Sequence, residues 1–185
     1  MSFQAVHEYT FWKVRSLLAL GIIVSALVAL PALSSGQQSA NTASSAATLR
    51  ITGEVGHPLV LHATDLLTLR RQTVDVSDEK GVRARYEGVP VAELLRRAGV
   101  PLGKQLRGSG LKLYVVVAAS DGYHAVFALP EFDPDFTDRV ILLADRRDGH
   151  ALSASEGPFR IVVPGEKRHA RWVREVVGLD IQQAR

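Results

Sequence analysis

The chain has 185 residues, of which 46% are hydrophobic and 22% are charged, and this is enough for one domain around a single hydrophobic core. It contains no cysteine, which excludes disulfides, thiolate metal sites and a cysteine nucleophile. The formal net charge of +3 argues against a nucleic-acid-binding protein, because such proteins show a strongly basic face.

The first 34 residues are typical of an export element. Lys13 and Arg15 are followed by "SLLALGIIVSALVALPAL", a run without a charged residue. The run is close to the minimum length of a membrane span, so residues 1–34 predict either a signal peptide or an inner-membrane anchor. In both cases the preceding positive charges would leave the rest of the chain outside the cytoplasm, and we expect a periplasmic or extracytoplasmic domain.

A flexible linker is predicted for residues 35–48, within "SSGQQSANTASSAAT". This stretch has no large apolar side chain, so burial cannot offset the entropy that is lost on ordering it. The folded domain is therefore predicted to occupy residues 49–185.

The first half of this domain reads as short strands and short helices. "LRITGEV" predicts a strand from Leu49, and Thr64 and Asp65 can cap a helical turn in "PLVLHATDLLTL". "YEGVPVAELLRRAGVP" predicts a helix that ends at Gly99.

The second half reads as strands. "LKLYVVVAAS" predicts a buried central strand, a second strand runs back from Tyr123, and "RVILLA" predicts a third. Asp148 and Gly149 predict a turn, and "FRIVVPG" and "RWVREVVGLDI" predict two more strands. Strands outnumber helices, so the predicted class is a sheet-dominated α+β fold.

A cluster of cations and one indole follows the last Pro-Gly turn, in "EGPFRIVVPGEKRHARWVREV". One interpretation is a solvated turn, followed by a strand that buries Trp172 and turns Arg171 outward. The other is a binding site, because backbone amides, guanidinium groups and an indole suit an anionic, planar, heteroaromatic ligand.

No catalytic or metal site can be identified from spacing. The histidines are isolated from one another in the sequence, so we predict no metal centre. Ser153 and Ser155 lack the context of a nucleophile, and "DPDFTD" is typical of a capped loop, so we predict no hydrolase site.

The order of these motifs resembles the molybdopterin-binding oxidoreductase domain of the sulfite oxidase family, from Arg50 to Ile181. The specific parts are the D-G-Y turn at Asp121–Tyr123, "LADRRDG", and "GPFRIVVPG". "YEGVPVAELLRRAGV" is similar to the family's G-V-P-L-x-x-L-L helix. The resemblance implies that the turn after "VVPG" contributes to a site for the pterin and its phosphate.

The chain departs from that family at the metal. Catalytic members hold molybdenum through a cysteine thiolate upstream of the G-V-P-L helix, where this chain reads "RQTVDVSDEKGVRARYEGVP". Ser77 or Asp78 would offer oxygen instead of sulfur, and oxygen would change the redox chemistry of the metal. The sequence therefore favours a pterin-binding protein without a metal over an enzyme.

The resemblance implies a pterin pocket where the turn after Pro164 meets the strand ends near Tyr123 and Arg147. Trp172 or Tyr123 would stack on the pterin ring, Arg168 and Arg171 would hold its oxygens, and Glu156 or Glu166 would accept its N–H groups. The predicted ligand-binding residues are Tyr123, Arg146, Glu156, Glu166, Arg168, His169, Arg171 and Trp172.

Short exported proteins similar to this one are periplasmic regulators that report a reduced pterin to a membrane receptor. The resemblance thus implies a pterin sensor with a membrane partner. Two alternatives remain open: a molybdopterin-dependent oxidoreductase with a non-cysteine metal ligand, and a non-catalytic structural partner of a membrane complex.

Overall fold

The structure is a computed structural model, and it describes residues 47–77 and 81–185. The predicted export segment at 1–34, nearly all of the predicted linker, and Asp78 lie outside the described residues. Among the described residues, no helix has the length and hydrophobicity needed to cross a membrane.

The first of two sheets joins the two ends of the domain. Its strands lie in the order β2-β1-β10-β5-β6. They are β1 (Thr48–Gly53), β2 (Leu59–His62), β5 (Leu113–Ala119), β6 (His124–Ala128) and β10 (Val176–Gln183). Strands β1 and β10 are parallel, and every other pair in this sheet is antiparallel. The predicted strand "LKLYVVVAAS" is thus β5, and it is paired on both sides.

The second sheet is antiparallel and lies in the order β3-β4-β7-β8, with β9 also paired to β7. Its strands are β3 (Gln72–Ser77), β4 (Arg83–Pro90), β7 (Leu142–Arg147), β8 (His150–Ala151) and β9 (Arg160–Val162). Asp148 and Gly149 connect β7 to β8 with positive φ angles of 51° and 79°, as the predicted Asp-Gly turn requires.

The described residues also form two short α-helices, α1 (Ala63–Leu66) and α2 (Val91–Arg97). Helix α2 buries Val91, Leu94 and Leu95 on one face, as predicted, and the chain leaves it at Gly99, where φ is +74°. The side chains of both sheets and of α2 meet in one hydrophobic core.

Strands β4 and β7 approach very closely at Gly88. A Cβ atom built at this glycine would lie 2.0 Å from the carbonyl oxygen of Leu143 and 2.6 Å from Cα of Ala144. The register between the two strands shifts beside Gly88, so that Asp145 has no partner on β4. The Asp145 carboxylate instead accepts two hydrogen bonds from Arg71, one of them 3.0 Å long.

One predicted strand starts later than the sequence indicates. "RWVREVVGLDI" was expected to be a single strand, but residues His169–Arg171 form a 3₁₀ turn and β10 begins only at Val176. The backbone N–H of Trp172 donates to the carbonyl of His169, and Glu175 has a positive φ of 51°. Strand alternation therefore does not separate Arg171 from Trp172, and the turn, not a strand, sets their directions.

Candidate functional site

Trp172 lies beneath the turn that connects β9 to β10. Its side chain is only 4% exposed, and its indole N–H donates to the carbonyl of Val163 at 3.1 Å. Its ring meets the ring of Tyr86 edge to face, with centroids 6.1 Å apart and an interplanar angle of 86°. The interpretation of Trp172 as a buried side chain is thus correct, and it does not by itself exclude a ligand on the remaining surface.

His169 covers one face of this indole. The two rings are stacked, with centroids 3.7 Å apart and an interplanar angle of 13°. That is the position and orientation that a planar heteroaromatic ligand would take on the indole. A ligand that stacks on this face of Trp172 must therefore displace the imidazole.

A cavity of about 240 Å³ lies beside this ring pair. The D-G-Y turn between β5 and β6 forms one wall of the cavity. Within this turn, the Asp121 carboxylate accepts a hydrogen bond from the backbone N–H of Tyr123 at 2.9 Å. The Tyr123 hydroxyl donates to the carbonyl of Ala170 at 2.8 Å and so connects this wall to the 3₁₀ turn. The lining residues are Asp121, Tyr123, His169, Ala170, Trp172, Val173 and Arg174.

Arg171 does not line this cavity, and its guanidinium forms contacts with other side chains of the protein. Its guanidinium is paired with Glu166, donates to both carboxylate oxygens of Glu131 at 3.0 Å, and lies 4.5 Å from the ring centroid of Phe127. Burial lowers the pKa of Arg171, but the hydrogen bonds to Glu166 and Glu131 outweigh it, and the net pKa is raised. Arg171 thus holds the 3₁₀ turn against the chain around β6, which makes it a positioning residue.

A second group of cations surrounds Tyr86 on the other side of Trp172. Arg160 lies 5.7 Å from the ring centroid of Tyr86 and 5.6 Å from that of Trp172, and it is paired with Glu156. Arg147 lies 5.6 Å from the Tyr86 ring and 3.4 Å from the Glu156 carboxylate. Burial raises the pKa of the Tyr86 phenol, and the charge of Arg160 opposes this effect only in part.

The predicted site residues therefore fall into three groups. Tyr123, His169 and Trp172 meet at the cavity, as expected. Glu156, Glu166 and Arg171 are engaged in ion pairs and do not line the cavity, in contrast to the roles that the sequence suggested for them. Arg146 and Arg168 are exposed and do not line the cavity.

The direction of β7 explains the position of Arg146. Successive residues of a strand point to opposite faces, so when Arg147 faces Tyr86, Arg146 faces away. The Arg146 guanidinium instead donates to the carbonyl of Gly149 at 3.0 Å.

Several residues at the site were not among the predicted ones. For example, Asp121 and Arg174 line the cavity, and Arg160 lies over both buried rings. Arg160 had a signal in the sequence, because it is a charge inside the apolar run "FRIVV". Asp121 could also have been identified from the sequence, because it is the first residue of the D-G-Y turn.

The donor set does not fit molybdenum as the catalytic members hold it. The full sequence has no thiolate, and among the described residues no group of three or more histidine, aspartate and glutamate side chains is placed to bind a metal ion. Ser77 is exposed at the end of β3. The aromatic and polar side chains that line the cavity fit an organic ring better than a metal.

Comparison with known proteins identifies the family and the fold. Residues 72–185 match the family described as the oxidoreductase molybdopterin-binding domain. The fold is similar to the crystal structure of the sulfane dehydrogenase SoxCD from Paracoccus pantotrophus, with a TM-score of 0.59 and 25% sequence identity. That match covers 75% of this chain and 38% of the other, so this chain spans well under half of its neighbour's length. No curated protein matches the chain. The predicted sheet-dominated fold of the sulfite oxidase type is thus confirmed.

Proposed function

The chain belongs to the family of oxidoreductase molybdopterin-binding domains, and we propose that it is an exported protein that binds a pterin without molybdenum and relays that binding to a membrane partner. The observation that carries the proposal is the cavity beside Trp172, which combines a carboxylate, a guanidinium and aromatic rings in one space. A molybdenum centre would supply oxygen-atom transfer, for which the chain offers no thiolate ligand.

The polar groups of the cavity match the edge of a pterin. The pyrimidine part of a pterin has two adjacent N–H donors, on the 2-amino group and N3, and an acceptor oxygen on C4. One Asp121 oxygen accepts from Tyr123 and the other is available, so its carboxylate would accept from the donor pair. Arg174 would donate to the ring oxygen. These two residues take the roles that the sequence assigned to the glutamates and to Arg168.

The size of the cavity favours a bare pterin. Sites for drug-sized ligands measure about 300–1,000 Å³, whereas this cavity measures about 240 Å³. A pterin with a short side chain suits that space better than a phosphorylated or nucleotide-bearing form of the cofactor. The ring would lie on Trp172 after His169 moves, or against Tyr123.

Fluorescence titration tests the proposal directly. Trp12 and Trp172 are the only tryptophans, so the full chain with Trp12→Phe reports on Trp172 alone. We expect tetrahydropterin or pterin to quench this fluorescence saturably. Asp121→Asn and Arg174→Gln should each weaken binding about tenfold, because each removes a charged partner of the ring. Arg146→Gln is the matched control, and it should leave the affinity unchanged.

Two results would count against the proposal. Unchanged affinity in the double variant Asp121→Asn/Arg174→Gln would show that the cavity does not hold the ligand. Near-stoichiometric molybdenum in protein purified from its native compartment, measured by elemental analysis, would favour the oxidoreductase with an oxygen ligand.

A further inference from the structure

A second and larger cavity lies on another part of the domain. Its volume is about 340 Å³, and none of its lining residues is shared with the cavity beside Trp172. The chain before β3, helix α2 and the loop before β7 form it together. Phe132 and Ile141, which are almost fully buried, give it an apolar floor.

The rim of this cavity carries cations that the protein does not neutralise. Arg70 and Arg139 both line it, and neither makes an ion pair or a side-chain hydrogen bond with any described residue. Two unpaired guanidinium groups at the mouth of one cavity are an arrangement suited to an oxoanion.

The other charges at this cavity are few. Arg96 and Arg97 both pair with Glu93, at 2.7 and 3.1 Å, so the Glu93 carboxylate is neutralised. Asp138 is the remaining anion among the lining residues that the structure describes, and it is exposed beside Arg139. The lining cations Arg70, Arg96 and Arg139 therefore exceed the anions Glu93 and Asp138 by one.

The walls are held in place before any ligand arrives. Arg71, next to Arg70, is tied to Asp145 of β7 by two hydrogen bonds, which raise its pKa. The loop before β7 is fixed by Asp133, which is fully buried and accepts from the backbone N–H of Gly103 at 2.5 Å and of Asp135 at 3.0 Å. Walls that are fixed in advance lower the entropy cost of binding.

From these observations we propose that the cavity between α2 and the 132–141 loop is a second binding site, for a small molecule that carries one oxoanion on an apolar ring or short chain. The apolar part would rest on Phe132 and Ile141, and Arg70 and Arg139 would pair with a carboxylate or a phosphate. The volume lies within the range of small-molecule sites, about 300–1,000 Å³. The site is independent of pterin binding at Trp172.

Calorimetry with three probes tests the proposal on the full chain. We expect benzoate and phenyl phosphate to bind, and the tighter of the two identifies the preferred oxoanion. Inorganic phosphate should bind at least about tenfold more weakly than phenyl phosphate, because it cannot use the apolar floor.

Substitutions at the rim locate the binding. The double variant Arg70→Gln/Arg139→Gln should lose at least about tenfold in affinity for the tighter probe, and Asp138→Asn should gain affinity because it removes a like charge. Arg107→Gln, an exposed arginine outside the cavity, is the control. Arg70 and Arg139 are exposed and unpaired, so unchanged melting temperatures will show that the variants are folded.

The proposal fails if neither organic probe binds at millimolar concentration, if inorganic phosphate binds as tightly as phenyl phosphate, or if the double variant binds like the unsubstituted chain. None of these measurements uses Trp172 fluorescence, so failure here and failure of the pterin proposal are distinguishable.

Discussion

Removal of the imidazole that covers Trp172 should make pterin binding tighter. His169 and Trp172 are stacked at 3.7 Å and 13°, and a ring that binds on the same face must first break that stack. Aromatic pairs contribute about 0.5–1.5 kcal/mol beyond the area that they bury. His169→Ala removes this cost from the binding reaction, so the affinity should rise about 2- to 12-fold.

The opposite sign follows if His169 is itself a stacking partner of the ligand. A base-like ring on an aromatic side chain gains about 1–3 kcal/mol, so His169→Ala would then weaken binding about 5- to 150-fold. The two predictions differ in direction and not only in size. One titration series therefore decides between them.

The assay is the Trp172 fluorescence titration in the Trp12→Phe chain, with His169→Ala and His169→Phe measured side by side. Phenylalanine keeps a ring on the indole, so His169→Phe should not gain affinity. His150→Ala is the matched control, since His150 is exposed in β8 and does not line the cavity. Weaker binding in His169→Ala than in the control would refute displacement.

Three further predictions concern stability. Gly88→Ala should lower the free energy of unfolding, measured by urea denaturation, by about 3 kcal/mol, because the new Cβ would lie 2.0 Å from the Leu143 carbonyl oxygen. Gly110→Ala is the control, since a Cβ there would make only ordinary van der Waals contacts. Arg171→Ala should cost about 1–2 kcal/mol in thermal melting, since Glu131 and Glu166 lose their partner, whereas Arg168→Ala should stay within about 0.5 kcal/mol. Burial raises the pKa of the Tyr86 phenol in the folded state. The neutral phenol therefore contributes its full stability below about pH 10, and this stability is lost as pH rises through the folded-state pKa. In urea denaturation, Tyr86→Phe should reduce the fall of the midpoint at alkaline pH.

Local features of the fold were predictable from the sequence. The Asp148–Gly149 turn and the apolar face of α2 depend on residues a few positions apart, and both agree with the structure. The parallel pairing of β1 with β10 was not predictable, because it brings together Thr52 and Asp180, which are 128 positions apart. A local sequence pattern does not indicate which distant strand will pair with β1.

The candidate site was predictable only in part, for the same reason. The sequence indicated Tyr123, His169 and Trp172 because they lie in recognisable turns, and these three do meet. It could not show that Glu156 and Glu166 are occupied by arginines, since the pairing of each glutamate depends on tertiary packing. It placed Arg171 at the start of a strand, whereas the structure places it in a 3₁₀ turn with contacts to two glutamates.

The charged side chains that line the two cavities favour ligands of different charge. The charged residues that line the cavity beside Trp172 are one carboxylate, Asp121, and one guanidinium, Arg174, so a ligand with a full negative charge would meet both signs there. A neutral ring with N–H donors needs a carboxylate that can accept hydrogen bonds from them, and Asp121 lines this cavity with one oxygen available. At the other cavity Arg70 and Arg139 have no ion pair among the described residues and the floor is apolar, which favours a ligand that brings its own negative charge. Occupancy of one site by a neutral pterin and of the other by an organic anion would then be independent, and saturating either site should leave the affinity of the other unchanged.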